Sequence, residues 1–214
     1  MHPSAHFLTA RGLCFGHRPA PAPLLFDGLA LDLPPGVSWL GGEEGSGKTT
    51  LLQLLAGALP PGAVRGRLVL QGLDLAQDPA AHARQVAWFD PRDAALDGQS
   101  ARQVFAALPG RHPGWDAQAL QAHIAGLSLA PHLDKTLAML STGTRRKVLL
   151  AAALAAGAPL TLLDQPFMAL DRPSIAHLLA HLADAAQATG RAWLVADHVP
   201  PEGVALARTI TLPR

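Results

Sequence analysis

The sequence is poor in cysteine and in charge. Cys14 is the one cysteine among 214 residues, so no disulfide can form within the chain and a cysteine-based metal site is not expected. This composition fits a reducing, cytoplasmic setting. Charged residues make up 15% of the chain and apolar residues 49%, which excludes an intrinsically disordered protein. The length is sufficient for one large domain or two small ones with a buried core.

An excess of either charge is also absent. Lys and Arg number 17 against 16 Asp and Glu, so the formal charge is +1. Proteins that bind nucleic acid usually carry a clear basic excess on one face. We therefore expect no nucleic acid among the partners of this chain.

Apolar runs long enough to cross a membrane are missing as well. The strongly apolar, uncharged run at residues 148–163 is shorter than the ~20 residues that a spanning helix needs. Gly157 and Pro159 interrupt it, and we interpret it as a buried helix, a turn and a buried strand. The first residues lack a basic segment followed by an apolar one, so a signal peptide is not expected.

Short strand-like and helix-like segments alternate along the sequence. The predicted strands cover residues 7–15, 24–33, 37–40, 67–70, 85–89, 160–163, 192–196 and 208–212. The predicted helices cover residues 49–59, 101–108, 116–127, 141–156 and 173–189. This alternation predicts a largely parallel sheet covered by helices on both faces. Helical patterns replace strand-like ones between 99 and 140, which predicts a helical insertion, and the proline-rich stretch 17–23 is typical of a surface loop.

A phosphate-binding motif follows the third predicted strand. Residues 42–49 read GEEGSGKT and match the pattern G-x-x-x-x-G-K-[ST] in full, between a strand and a helix. Glycines let the backbone approach phosphate oxygens, and N–H groups at a helix N-terminus attract anions. Lys48 supplies a charge for the β- and γ-phosphates and Thr49 a hydroxyl for Mg²⁺. We assign nucleotide contacts to Gly42, Gly45, Ser46, Gly47, Lys48, Thr49 and Thr50.

A second anchor is Asp164, which ends the apolar strand predicted at 160–163. In P-loop proteins such a strand delivers a carboxylate beside the phosphate loop, where Mg²⁺ binds. The signal is weak alone, because many buried strands end in aspartate. Downstream of an intact phosphate loop, it predicts that Thr49 and Asp164 share a magnesium site.

Three further pieces narrow the class of protein. Residues 140–143 read LSTG and open a helix, residues 169–171 read ALD, and His198 follows the strand predicted at 192–196. In this order, with the two anchors above, they resemble the nucleotide-binding domain of ABC transporters over essentially the whole chain. The stretch DQPFMALD at 164–171 is also similar to that of haem-exporter ATPases of cytochrome c maturation.

The resemblance implies a fold and a set of partners. It implies an α/β fold, a P-loop NTPase with a largely parallel central sheet, an N-terminal antiparallel β part and an inserted helical subdomain. Residues 1–214 would form a single domain, with the helical subdomain at approximately 91–157. ATP and Mg²⁺ would bind, and integral membrane transporter subunits would be partners at the inner face of the cell membrane. Whether the chain forms a homodimer or a heterodimer with another ABC ATPase chain is left open.

The resemblance also implies roles for single residues. Two chains would face head to tail, and Ser141 and Gly143 of one chain would cap the ATP bound by the other. Phe15 would stack on adenine, although plain core packing is the alternative. His198 would contact the γ-phosphate and steady the attacking water, unless it is only a surface histidine at a strand end. Asp171 would serve communication across the dimer.

The sequence departs from the family pattern at several positions. Gln165 replaces the glutamate that normally follows Asp164 and polarises the attacking water; Gln165, His198 and Asp164 are thus the predicted catalytic set. An amide cannot accept a proton, and loss of a general base typically costs about 10²–10⁴ in rate. Asp90 replaces a glutamine that links Mg²⁺ to the transporter interface, and the resemblance thus places Asp90 with Thr49 and Asp164 in the predicted metal set. Thr142 and Thr144 replace a glycine and a glutamine.

Several alternatives remain at this stage. Gln165 is either the natural residue at this position or the result of a laboratory substitution of glutamate by glutamine. The chain is a transport subunit, a regulatory or scaffold subunit that scarcely hydrolyses ATP, or a small P-loop kinase; ABC proteins acting on DNA or ribosomes are disfavoured. His177 and His181, four residues apart on a predicted helix, are expected on a solvated face rather than in a metal site. Cys14 is expected to be a small buried residue. The basic run 145–147 predicts either a partner contact or a solvated face.

Overall fold

The computed structural model describes residues 7–16, 23–60, 63–90 and 92–213. The predicted surface loop at 17–23 therefore lies almost wholly outside the described residues. The strands are β1 (Leu8–Phe15), β2 (Phe26–Leu33), β3 (Gly36–Gly41), β4 (Arg65–Leu70), β5 (Leu73–Asp74), β6 (Val86–Trp88), β7 (Leu160–Asp164), β8 (Ala192–Ala196) and β9 (Leu206–Thr211). The α-helices are α1 (Lys48–Leu55), α2 (Pro79–Gln85), α3 (Ala101–Ala107), α4 (Ala117–Gly126), α5 (Thr142–Ala155) and α6 (Arg172–Ala186).

The strands form two sheets, and this confirms the predicted fold class. The first sheet has the order β2-β1-β4-β5, and its neighbouring strands are antiparallel. The second has the order β6-β7-β8-β3-β9, and its neighbouring strands are all parallel. Every residue of β7 and of β8 is buried, as expected for parallel strands covered on both faces.

The carboxyl ends of three parallel strands meet at one edge of the second sheet. Ala196 at the end of β8 lies in register with Leu40 of β3 and with Asp164 of β7. Ligands of open parallel sheets bind outside this edge. The loop after β3, the end of β7 and the residues after β8 therefore come together there.

Apolar side chains cover both faces of the parallel sheet. One cluster joins the antiparallel sheet, α1 and one face of the parallel sheet. The other joins α3, α4, α5 and α6 to the opposite face. Helices α3, α4 and α5 lie in sequence between β6 and β7, so the predicted helical patterns between 99 and 140 are confirmed as α-helices, with short 3₁₀ turns between them.

The predicted turn in the long uncharged run is confirmed at Gly157. Its φ angle is +62°, a conformation that glycine adopts readily and other residues rarely. A Cβ atom at Gly157 would collide with the carbonyl group of Gly114. This close backbone approach connects the segment before α4 to the segment between α5 and β7.

Most differences between the predicted and observed elements lie at helix ends. Helix α1 ends at Leu55 rather than at 59, since Gly57 adopts a φ of +68° and turns the chain. Helix α2 was not predicted, and part of it had been assigned to the strand at 85–89. Asp78 caps it through a hydrogen bond to the N–H of Ala81, and Pro79 occupies its first position. In the described part of the chain, no helix is both long and apolar enough to span a membrane.

Candidate functional site

A cleft of about 620 Å³ opens at the carboxyl edge of the parallel sheet. This volume lies within the range of small-molecule sites. Of the predicted site residues, the cleft is lined by Gly45, Gly47, Lys48, Thr49, Thr50, Asp164, Gln165 and His198. The structure thus brings together residues that lie more than 100 positions apart in the sequence.

The loop at 42–47 wraps one end of this cleft and leads into α1. Gly42, Gly45 and Gly47 all have positive φ angles, of 151°, 79° and 93°. Gly47 is the N-cap of α1, and no side chain caps the first N–H groups of that helix. Free N–H groups at a helix N-terminus bind anions well, since the helix dipole adds to their attraction. Ser46 Oγ is buried, and no partner for it exists among the described residues.

Lys48 points back over the loop. Its Nζ donates hydrogen bonds to the carbonyl oxygens of Gly42, at 2.7 Å, and Glu43, at 2.8 Å. The residue is 7% exposed, so these carbonyl contacts compensate a largely desolvated ammonium group. The positive charge therefore lies in the concave side of the loop, where a phosphate group would enter.

Thr49 and Asp164 meet across the cleft. Thr49 Oγ1 donates a hydrogen bond of 2.7 Å to Asp164 Oδ2. Asp164 is 8% exposed, and its other oxygen, Oδ1, is buried with no partner among the described residues. A hydroxyl and a carboxylate with spare acceptor capacity are oxygen ligands of the kind that Mg²⁺ takes together with water and substrate phosphates. These residues fit a magnesium ion, although no cluster of three or more His, Cys, Asp or Glu suited to a metal exists in the described ranges.

Gln165 lies beside His198 at the rim of the cleft. Its Nε2 is 3.3 Å from His198 Nε2. The backbone of Gln165 has a φ of +45°, and its N–H donates a hydrogen bond of 2.7 Å to the carbonyl of Ala196. His198 is exposed, and its N–H donates to Asp197 Oδ1 at 2.7 Å. The backbone contact with Ala196 therefore positions Gln165, and the Asp197 side chain holds the backbone of His198.

Arg146 is a site residue that the sequence reasoning did not single out. It is 8% exposed, and its Nη1 donates to the carbonyl oxygens of Asp164, at 3.1 Å, and Gln165, at 2.7 Å. Burial lowers the pKa of this guanidinium, which nevertheless stays protonated at neutral pH. Neither predicted reading of the basic run, a partner contact or a solvated face, describes Arg146, because it packs inside its own chain.

The other two basic residues of that run also have partners within the chain. Lys147 pairs with Asp171 at 2.6 Å, and Arg145 pairs with Asp97. Asp171 Oδ1 accepts a hydrogen bond of 2.9 Å from the N–H of Ser174 and so caps α6. The Lys147 ammonium and the Ser174 contacts lower the pKa of Asp171 below its usual range.

Asp90 reaches the cleft only through a neighbouring residue. Asp90 Oδ1 accepts a hydrogen bond of 2.9 Å from the backbone N–H of Arg92. The Arg92 side chain lines the cleft and lies 3.5 Å from Asp164 Oδ2. Sequence reasoning missed Arg92; a basic residue two positions after the unusual Asp90 was the available signal.

Phe15 does not line the cleft. It is 6% exposed and belongs to the apolar cluster under the antiparallel sheet, in register with Phe26 of β2. This position favours the core-packing interpretation that the sequence left open.

Cys14, predicted to be buried, is half-exposed instead, because β1 turns its side chain toward Asp27 and Gly28 at the sheet surface.

Ser141 and Gly143 lie away from the cleft of their own chain and do not line it. Ser141 caps α5 by accepting a hydrogen bond of 3.2 Å from the N–H of Thr144. A Cβ atom at Gly143 would lie 2.5 Å from the carbonyl oxygen of Ala169. The LSTG segment thus packs directly on the ALD segment, and Ser141 is exposed at the surface.

The predicted solvated histidine face of α6 is wrong. His177 Nε2 lies 3.0 Å from Nδ1 of His123, which projects from α4 and is 4% exposed. The His181 ring packs edge-on against the rings of His123 and Trp193, at centroid distances of 4.9 and 5.2 Å. The periodicity of α6 placed His177 and His181 on one face correctly, but the covering helix α4 was not visible from that pattern.

Burial makes this histidine cluster sensitive to acid. It lowers the pKa of His123 from 6.5 to about 4, helped by the nearby charges of His181 and His177. The pKa of His181 is also lowered to about 4 by burial, with Arg191 adding to the effect. Unfolded histidines titrate near 6.5, so the unfolded chain takes up protons between pH 6.5 and 4 while the folded chain does not.

We therefore expect the free energy of unfolding to fall as the pH decreases from 7 to 5. His123 and His181 each contribute on the order of 1–2 kcal/mol to this loss. Urea unfolding at pH 7 and pH 5 measures it. The matched variant is His123→Gln, which should lose clearly less stability between the two pH values than the unchanged chain. An equal loss in both proteins would show that His123 is not responsible.

Comparison with known proteins agrees with the fold and the cleft. A family model described as ABC transporter matches residues 26–168. The cytochrome c biogenesis ATP-binding export protein CcmA of Pseudomonas syringae pv. syringae (strain B728a) is 34% identical over 201 residues, which cover 92% of this chain and 91% of that protein.

Two solved structures share the fold. The structure of an ATP-binding subunit of an ABC transporter aligns over 90% of this chain and 80% of its own, with a TM-score of 0.77 and 22% identity. A dimeric ATP-binding cassette in a post-hydrolysis state with ADP and Pi aligns over 90% of this chain and 88% of its own, with a TM-score of 0.71 and 18% identity.

The two sheets, the phosphate loop and the Thr49–Asp164 contact define a P-loop NTPase. Within that class the chain belongs to the ABC transporter family, since the family model matches more than half of it and a relative 34% identical to it covers 92% of it. This confirms the resemblance on which the expectations above were based.

Proposed function

We propose that this chain is the ATP-binding subunit of an ABC transporter and that hydrolysis at its own site is weak. One observation carries the proposal: Lys48, Thr49 and Asp164 converge in a single cleft, while Gln165 occupies the position of the general base. The residues expected to hold the triphosphate and Mg²⁺ thus line one cleft, and the group that would accept a proton from water is replaced by an amide.

Binding of the triphosphate would use the groups already aimed into the cleft. Lys48 Nζ would exchange its carbonyl contacts for phosphate oxygens, and the N–H groups at the start of α1 would bind the remaining ones. Thr49 and Asp164 would hold Mg²⁺, which neutralises charge on the phosphates when bound. Arg146 would keep the backbone of Asp164 and Gln165 in place through its two carbonyl contacts.

Two chains would enclose the nucleotide. Ser141 and Gly143 lie at the N-terminus of α5 and do not line their own cleft, so we assign them to the γ-phosphate bound by a second chain. The Lys147–Asp171 pair and the contact of Gly143 with Ala169 connect this cap to the segment after Gln165. ATP-driven closure would thereby be transmitted within one rigid part of the chain.

The closing movement of the ATP-bound dimer would act on the membrane partners. We infer that residues at approximately 91–157 act as the helical subdomain that docks on integral membrane subunits, with the chain peripheral on the inner face of the cell membrane. The relatives' name, cytochrome c biogenesis ATP-binding export protein, favours a role in the export step of cytochrome c biogenesis. The shared stretch at 164–171 supports the same assignment.

A second candidate is an ATP-binding regulatory or scaffold subunit with negligible hydrolysis. Gln165 and Asp90 favour it, because both depart from the family pattern next to the cleft. Reconstitution with the membrane partners discriminates between the two: a transport subunit turns over ATP in their presence, and a scaffold subunit does not.

The purified chain is expected to form dimers in MgATP and to hydrolyse ATP only slowly. Light scattering during gel filtration should show the dimer mass with MgATP and the monomer mass with MgADP, which lacks the γ-phosphate that Ser141 and Gly143 would cap. Phosphate release should be close to background. A monomer at saturating MgATP, or rapid turnover with Gln165 in place, would contradict the proposal.

A further inference from the structure

Arg92 places a guanidinium group at the centre of the Thr49–Asp164 contact. Its Nη2 lies 3.3 Å from Thr49 Oγ1 and 3.5 Å from Asp164 Oδ2. The Arg92 side chain is 69% exposed, whereas that of Asp164 is 4% exposed. A long surface side chain therefore folds inward and directs its charged end at the two oxygen ligands expected for Mg²⁺.

Asp90 and its neighbours fix the direction of this side chain. Asp90 Oδ1 accepts the Arg92 N–H at 2.9 Å and lies 3.8 Å from Arg92 Nε. Asp90 Oδ2 in turn accepts a hydrogen bond of 3.4 Å from Gln53 Nε2 on α1. The carboxylate at position 90 is thus anchored to α1 and bound to Arg92 on its other side.

The charges at this edge of the cleft explain why a cation is favourable here. Asp90 and Asp164 are two acidic side chains next to a site for a polyanion, and Asp90 adds a negative charge where a neutral glutamine is usual in the family. Arg92 balances that charge. Since guanidinium groups bind phosphate oxygens in a forked geometry, the same group is suited to contact a triphosphate that enters the cleft.

We propose that Arg92 is a built-in cation of the nucleotide site, which takes over part of the charge neutralisation that Mg²⁺ supplies and so allows this chain to bind ATP without the metal. The inference rests on the proposed ATP binding. Arg92 contacts Thr49 and Asp164, whereas Lys48 Nζ is held by the carbonyls of Gly42 and Glu43. It therefore adds a second positive charge to the pocket that does not depend on the metal.

The experiment measures the affinity for ATP by calorimetry, with Mg²⁺ in excess and with EDTA. The unchanged chain is expected to lose about tenfold or less in affinity when Mg²⁺ is removed. Arg92→Ala should weaken the binding of ATP without Mg²⁺ about tenfold to hundredfold more than it weakens the binding of MgATP, since one charge-assisted phosphate contact is worth about that much. Arg92→Lys keeps the charge and should recover most of the metal-free binding.

The matched control is Arg102→Ala. Arg102 is similarly exposed, at 63%, and pairs with Asp134 on the helical part, so its loss should change neither affinity. Equal losses for the unchanged chain and Arg92→Ala in EDTA would overturn the proposal, as would an Arg92→Ala variant that loses MgATP binding to the same extent. Failure of the unchanged chain to bind MgATP at all would instead refute the proposed function.

Discussion

Replacement of Gln165 by glutamate is expected to raise the ATP turnover of this chain about 10²-fold or more. A carboxylate at this position can accept a proton from the attacking water, and general-base assistance is typically worth 10²–10⁴ in rate, so ~10² is a cautious value. The backbone at position 165 is fixed by Ala196 and Arg146 whichever side chain is present. Gln165→Glu should therefore change the chemistry and leave the position of the group unchanged.

Phosphate release by the purified chain in excess MgATP measures this effect. Gln165→Ala is the matched control, since it removes the amide without adding a base and should leave the low turnover unchanged. If Gln165→Glu is no faster than Gln165→Ala, the missing base does not limit the reaction. The low turnover would then be attributed to the altered cap, in which Thr142 and Thr144 replace the residues usual in the family.

The parts of the site that were predicted from sequence are those whose chemistry is local. The phosphate loop is specified by eight consecutive residues, and its three positive φ angles fall on glycines. Asp164 was predictable because an apolar run ends in a carboxylate and because parallel strands end at a common edge. The meeting of Thr49 with Asp164 then follows from sheet order, although the 2.7 Å contact itself needed the structure.

The parts that were missed depend on contacts between distant segments. Arg146 looks like one member of a basic run, and only the fold shows that its side chain turns inward to two carbonyls of β7 and Gln165. His123 joins His177 because α4 crosses α6. Periodicity identifies the buried face of a helix, but it does not identify the residue that covers that face.

Helix α2 was missed for a different reason. Its residues PAAHARQ carry a single buried side chain, His82, so there is no apolar stripe for a period of 3.6 to detect. Its N-cap, Asp78 followed by Pro79, is a recognisable helix start signal, which the prediction did not use. A hydrogen bond between the His82 ring and the carbonyl of Leu55 connects α2 to α1.

Loss of Lys48 should have the largest effect on nucleotide binding. Lys48 is the only cation in the loop at 42–49, and its ammonium is already desolvated and directed into the loop. A charge-assisted contact to phosphate in such a dry site is stronger than a surface ion pair. We expect Lys48→Ala to weaken MgATP binding about 100-fold or more, as measured by calorimetry.

Thermal unfolding provides an independent readout and the control. Saturating MgATP at about 100 times the dissociation constant stabilises a protein by about 2.7 kcal/mol, so the unchanged chain should melt several degrees higher with ligand. Lys135→Ala, which removes an exposed lysine outside the cleft, should keep that shift, and Lys48→Ala should lose it. An undiminished shift in Lys48→Ala would mean that the nucleotide does not bind on the phosphate loop.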